Sequence, residues 1–191
     1  GGNAASGQYY LRGEGRDWYN LWLYKYAGVD QATGLPQYYH TVTAADVTAN
    51  TYSGAKEGDV VKTNNYNLAS KYEVGDATPD LIGGLSTTLR YKDFDFTAVM
   101  AYQLGGKFYS VEYGNGLYLS STNLYYGYSI SKDLIGNTWT PENKGAKYPM
   151  QWYGASYYDG ATFGSWKYTD MALFSASYLR VKNITIGYTV P

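Results

Sequence analysis

The chain has 191 residues, with 15 Lys and Arg against 16 Asp and Glu, a sequence pI near 5.8 and no cysteine. That balance leaves no basic footprint for nucleic acid, and the cysteine count excludes disulfides and thiolate metal sites. Tyrosine occurs 25 times and glycine 23 times while 16% of residues are charged, which suits strands, turns and wet aromatic surfaces and predicts an all-β fold.

No run of about eighteen apolar residues occurs, so no transmembrane helix is encoded. Barrel strands are not excluded, because their signal lies in alternation and their loops and lumen keep mean hydropathy low. The opening GGNAASGQYY has neither a basic region nor an apolar one and does not read as a signal peptide; an exported protein would carry its start elsewhere.

In chain order, residues 8–11 form a short strand candidate. Residues 18–26, WYNLWLYKY, form a longer one with both faces aromatic or apolar. Residues 37–43, QYYHTVT, predict another strand; His40 within it is a lone histidine with no evident partner and reads as a strand residue.

Residues 81–105, LIGGLSTTLRYKDFDFTAVMAYQLG, read as a hairpin turning at Lys92 and Asp93. Counting from that turn puts Tyr91 opposite Phe94, Leu89 opposite Phe96, Leu85 opposite Met100, Gly83 opposite Tyr102 and Leu81 opposite Leu104 on one face. The other face pairs Arg90 with Asp95, Thr88 with Thr97 and Ile82 with Gln103. Opposite charges and paired threonines favour this register, and Tyr102 can lie over Gly83. Neither turn residue is glycine, so a three- or four-residue turn is an alternative. Each arm has the length of a tilted bilayer-crossing strand. The alternation alone does not choose between lipid and a half-buried sheet of a soluble sandwich.

Residues 129–135, SISKDLI, predict a helical turn or two closed by Gly136. Residues 177–190 alternate cleanly from Asn183, with Ile184, Ile186, Tyr188 and Val190 on one face. Upstream the phase reverses, with Leu179 and Val181 apolar, which calls for a bulge or for emergence from a membrane.

The connections run long, short, long: residues 27–80, a two-residue turn, and residues 105–176. That asymmetry marks outer-membrane barrels, with long outer loops and tight periplasmic turns. About four long strands cannot close on themselves and would leave two unpaired edges.

No catalytic constellation is visible, and no cofactor is implied. Asp93 and Asp95 read as a turn residue and half of an ion pair with Arg90. The second loop carries the candidate ligand- or partner-binding aromatics Tyr125, Tyr126, Trp152, Tyr153, Tyr157 and Trp166, whose faces suit sugar rings or peptide side chains. Packing of the loop against itself is the competing reading for each. Trp139, in WTPEN, reads as structural.

Five stretches occur in family order: YKYAGVDQATGLPQYY (24–39), GDATPDLIGGLSTTLRYKDFDF (75–96), AYQLGGKFY (101–109), WTPENKGAKYP (139–149) and SASYLRVKNITIGYTVP (175–191). With them the chain resembles the C-terminal part of SusC-like TonB-dependent transporters, the SusC/RagA family of Bacteroidetes. The resemblance implies part of a 22-stranded outer-membrane barrel for residues 1–191, without the plug or the last two strands, and with residues 27–80 and 105–176 extracellular. It implies import of oligosaccharides or peptides without catalysis. The implied partners are a SusD-like surface lipoprotein, TonB acting through the plug, the rest of the same barrel and the lipid bilayer. In that frame Leu85, Leu89, Phe94, Phe96, Met100 and Tyr102 face lipid, and Thr88, Arg90, Asp95, Thr97 and Gln103 face the lumen. A soluble carbohydrate-binding β-sandwich and a structural surface segment are the alternatives.

Overall fold

The computed structural model describes residues 5–6, 9–118, 127, 129–151 and 165–190. The strands, in chain order, are β1 (Ala5–Ser6), β2 (Leu11–Arg12), β3 (Asn20–Tyr24), β4 (Tyr26–Val29), β5 (Pro36–Thr41), β6 (Val60–Thr63), β7 (Lys71–Asp76), β8 (Pro79–Tyr91), β9 (Phe94–Gly105), β10 (Lys107–Tyr109), β11 (Leu173–Ser175) and β12 (Tyr178–Tyr188). Two short helices, α1 (Ala44–Ala49) and α2 (Val111–Gly116), interrupt them. Among the described residues no helix is long and apolar enough to cross a membrane, which says nothing against crossing by strands.

The three longest strands form one antiparallel sheet in the order β12-β9-β8. β8 and β9 pair in the register expected from the sequence, from Tyr91↔Phe94 and Arg90↔Asp95 beside the turn to Leu81↔Leu104 far from it. The turn does have two residues. Lys92 takes φ of 53°, the left-handed conformation that a glycine would have supplied more easily. β12 lies along the other edge of β9, and its register shifts between Val181 and Asn183. This shift accounts for the reversed phase: it brings Leu179 and Val181 onto the same face as Ile184, Ile186 and Tyr188.

All three long strands end at one level. β7 leads into β8 through Ala77 and Thr78, β9 passes to β10 through Gly106, and β11 passes to β12 through Ala176 and Ser177. Gly105 and Gly106 both have positive φ, 76° and 73°. A Cβ on Gly105 would collide with Asp80, so the bend needs glycine there. Across the same level the Ala176 amide donates to the Gly106 carbonyl at 2.9 Å, and the Gly105 amide donates to Ser177 Oγ at 2.9 Å.

Beyond that level the chain packs as a cap of small sheets, β3-β7, β4-β5-β6 and β10-β11. One core joins Tyr38, Leu117, Tyr118, Leu134, Tyr148 and Trp166; another joins Leu21, Leu23 and Val74 with partly buried tyrosines around them. Residues 18–26 are therefore not one long strand. The strand breaks at Lys25: β3 pairs with β7, whereas β4 pairs with β5. Both faces of this segment looked apolar because Leu21 and Leu23 point into a core while Trp22 and Tyr24 are half-buried on the other side. The expected turn at residues 129–135 is a 3-10 turn at Lys132–Leu134, followed by Gly136 at φ 72°.

Candidate membrane-spanning sheet and aromatic cleft

The β12-β9-β8 sheet has an apolar face that, among the described residues, no second layer covers. Leu85, Leu89 and Ile186 are 58%, 61% and 73% exposed, and neither core cluster includes any residue of these strands. Phe96 and Met100 are half-buried only because β9 is the central strand and side chains from both neighbours flank them. This is not the burial of a sandwich core, which would require a facing sheet.

Aromatic rings gather at the turn end of this face. Phe94 and Tyr188 lie with ring centroids 4.6 Å apart, Tyr91 stands opposite Phe94, and the Lys92 ammonium sits 5.5 Å from the Tyr91 ring centre. At the other end Tyr102 lies over Gly83, where a Cβ would come within 2.5 Å of its hydroxyl. The 13 residues of β8 span roughly 43 Å along the strand at ~3.3 Å per residue. Tilted by about 40°, that covers roughly 33 Å, enough for a bilayer's hydrocarbon core.

The opposite face is polar. Thr88 and Thr97 hydroxyls share a hydrogen bond of 3.3 Å. Arg90 and Asp95 are register partners but form no ion pair; among the described residues the ion pairs are Arg16–Glu73 and His40–Asp46. The Asp95 carboxylate turns instead toward β12, into the space over Gly187 where there is no side chain. Gln103 is half-buried and donates from Nε2 to the Ala176 carbonyl at 3.1 Å, so it ties β9 to the bend before β12.

In the cap, His40 has partners that the sequence reading missed. Its Nε2 lies 2.9 Å from Asp46 Oδ2, and its Nδ1 lies 3.3 Å from Ser70 Oγ. Asp46 Oδ2 also accepts from the Thr43 amide and hydroxyl at 2.8 and 2.6 Å. Those two Thr43 bonds and then His40 hold the Asp46 carboxyl down to about 2. The residue types match a hydrolytic relay, but the roles do not. Ser70 Oγ already accepts from the Thr41 amide at 2.9 Å, and the carboxylate is spent on the capping box of α1. The group pins α1 to β5. The spacing Thr43-x-x-Asp46 was the sequence signal for it.

Two of the five family-like stretches dock on each other. Asp30 organises the turn before Gly34, accepting from the Ala32 amide at 3.0 Å and the Thr33 hydroxyl at 2.8 Å. The Trp139 ring lies on Gly34, where a Cβ would collide with it, and Trp139 Nε1 donates to the Gln31 carbonyl at 3.2 Å. The structural reading of Trp139 matches this geometry.

Of the loop aromatics proposed to meet ligand or partner, Tyr125, Tyr126, Trp152, Tyr153 and Tyr157 lie outside the described residues. Trp166 is wholly buried and packs near Tyr148, with ring centroids 6.3 Å apart. Its ring has no face toward solvent, so its place is in the core, as the self-packing reading of the loop had it.

A cleft of about 370 Å³ opens between Tyr9, Leu23, Tyr24, Tyr66, Lys71 and Tyr168. Tyr24 and Tyr66 rings lie 4.6 Å apart, and the Lys71 ammonium sits 5.1 Å from the Tyr24 ring centre. Burial pushes the Tyr66 hydroxyl up and the Lys71 ammonium down. No sequence pattern announced this cleft, because its walls come from four separate stretches of chain. Among the described residues no group of three His, Asp or Glu side chains is placed to hold a metal ion.

No protein-family model matches the chain. It is 25% identical over 171 residues to TonB-dependent receptor P3 of Formosa agariphila, a match covering 88% of this chain and 15% of that protein. Among solved structures it is similar to the RagAB peptide transporter, with a TM-score of 0.58 and 25% identity over 90% of this chain and 16% of that one. A second structure, the RagAB peptide importer in its closed-closed state, shares the fold with a TM-score of 0.53 and 22% identity, again over 90% of this chain and 16% of that one. The chain thus spans about one sixth of the length of the proteins it matches.

Proposed function

For a chain that is a stretch of a SusC/RagA-like TonB-dependent transporter of the outer membrane, we propose that β8, β9 and β12 are adjacent wall strands of the import barrel. The observation that carries this reading is the apolar face of a single-layer sheet that no other described residues cover, bounded by rings at its turn and by the common bend at its other end. In water such a face would be a large aggregation-prone patch; in lipid it is the ordinary surface of a barrel. Leu85, Leu89, Phe94, Phe96, Met100 and Tyr102 then face the bilayer, and Thr88, Arg90, Asp95, Thr97 and Gln103 face the lumen. The Lys92–Asp93 turn lies at the periplasmic rim, and the cap, which includes β3 together with the described parts of residues 27–80 and 105–176, stands outside the cell.

The whole protein imports oligosaccharides or peptides beneath a SusD-like surface lipoprotein, with TonB acting through a plug. The similarity to RagAB, a peptide transporter, supports peptide as one of these cargo classes. Among the described residues no facing sheet packs on these strands, which counts against a soluble sandwich.

This chain has no cysteine, so cysteines introduced into it, with any elsewhere in the whole transporter replaced, give a clean test. Single cysteines at positions 85, 89, 96 and 100 of the whole transporter, labelled with a fluorophore, are quenched by lipid-borne quenchers in vesicles. Cysteines at 88 and 97 respond only to aqueous quenchers. Equal aqueous access on both faces would overturn the assignment.

A further inference from the structure

We infer that Arg180 is a recognition point for a carboxylate on the imported cargo, set in the lumen wall just inside the outer opening of the barrel; this deepens, and rests on, the import reading above. The register places it. Arg180 pairs with Ala101, and Ala101 pairs with Gly84, so the three form one row across β12, β9 and β8. Ala101 alternates in phase with Asp95, Thr97 and Gln103, so the row belongs to the polar face. Gly105, at the bend, is four residues along β9 from Ala101, which puts Arg180 roughly 13 Å down the strand at ~3.3 Å per residue. Cargo leaving the cap reaches this row before most of the wall.

Arg180 is exposed and, among the described residues, belongs to no ion pair. Its guanidinium carbon lies 5.3 Å from the Tyr178 ring centre. A ring meets the flat face of a guanidinium, which orients the group and leaves its in-plane N–H donors for a forked bond to a carboxylate. Ala101 and Gly84 carry no long side chain, and Gln103 is drawn up to the Ala176 carbonyl, so the wall beside Arg180 is low.

The charge balance of the sheet has the same sign. Its bases are Arg90, Arg180 and, at the bulge, Lys182; its acids are Asp80 and Asp95. Asp80 lies against Gly105 at the bend, and Asp95 lies over Gly187 near the turn. They stand about four and six residues along the sheet from the Ala101 row, roughly 13 and 20 Å, too far for a direct pair with Arg180. In the cap, Asp17 and Asp76 accept from Thr78, and Asp170 accepts from the Tyr26 amide with Lys25 and Lys107 near it. A carboxylate entering at Arg180 therefore gains a partner that these acids leave open. A uronate in an oligosaccharide and the C-terminus of a peptide both present that group.

The test is modification of Arg180 by phenylglyoxal in the whole transporter in detergent, read by mass spectrometry. Two matched pairs of probes are used: digalacturonate against digalactose, and acetyl-trialanine against its C-terminal amide. Arg180 reacts when no probe is present, and at least one charged member slows the reaction while its neutral partner does not. The pair that protects identifies the source as sugar or peptide. By calorimetry R180M weakens that charged probe about tenfold, the loss of one charge-assisted contact, and leaves the neutral one within about twofold. An Arg180 that is unreactive without probe is already paired inside the barrel, and that result overturns the proposal. Equal protection within both pairs, or unchanged affinity in R180M, also overturns it. Protection by a charged probe without its TonB-dependent uptake keeps the recognition point and refutes import; uptake with Arg180 unprotected does the reverse.

Discussion

Leu85→Arg tests the membrane assignment most sharply. Leu85 lies six residues from Pro79 and six from Tyr91, at the middle of β8. Six residues at ~3.3 Å make roughly 20 Å of strand, or about 15 Å of depth at a tilt near 40°. On the proposed membrane reading Leu85 sits near the bilayer midplane, where arginine on the lipid face of a barrel costs about 2–4 kcal/mol. Its neighbour Ser86 points to the other face, and Ser86→Arg is expected to cost within about 0.5 kcal/mol, as for a solvated surface. Tyr91→Arg, at the turn end, falls to about 0–1 kcal/mol because an interfacial arginine reaches the headgroups. The assay is urea-dependent folding of the whole barrel into phosphatidylcholine vesicles, comparing the three variants with the parent. A Leu85 variant as stable as the Ser86 variant, or a Tyr91 variant costlier than both, would refute the reasoning.

Three further outcomes follow from the bends and the cap. Gly105→Ala places a Cβ against Asp80 at a left-handed φ of 76°, so it is expected to cost about 1–2 kcal/mol and to lower the thermal midpoint of the barrel. Gly34→Ala and Trp139→Ala each separate the turn at residues 30–34 from the Trp139 ring, and limited proteolysis should reach β4 and β5 sooner in both. Acid should loosen α1. The Asp46 carboxyl is depressed in the folded state, so its contribution is complete above the free-aspartate range near 4 and disappears as pH falls toward about 2. Glu73, lowered first by Arg16 and then by Asn20, titrates on the same side, so the informative comparison is between parent and Asp46→Asn rather than between pH values alone. Hydrogen exchange at residues 44–49 should depend on pH below 4 in the parent and much less in the variant.

The long sheet was legible because its information is local. A two-residue turn and a period of two fix every pair from Arg90↔Asp95 to Leu81↔Leu104, and a phase reversal in one strand marks its bulge. The cap was less legible because its partners are distant in sequence. Residues 18–26 read as one strand, and only pairing with residues 36–41 and 71–76 divides it at Lys25. His40 seemed isolated because its partner on α1 is revealed by a capping box rather than by a catalytic spacing. Arg90 and Asp95 met the pairing rule, but an open space over Gly187 gave Asp95 another place to turn. Trp166 could not be told from the other loop aromatics by composition, since burial is a property of the assembled core.

The common bend level explains why one chain carries two such different kinds of order. On the proposed reading, β9 below it is flanked by β8 and β12 along most of its length, and its side chains need no third partner because lipid supplies one. Above it, on the same reading, the chain meets water, and the small sheets bury Leu21, Leu23 and Tyr38 in cores of their own. Pro79, Gly105 and Ser177 mark that change in all three strands at the same height. Three unrelated loops would have no reason to bend together. A single planar boundary between two solvents gives them one, which is why the alignment of the bends and the exposure of Leu85 and Ile186 support the same membrane.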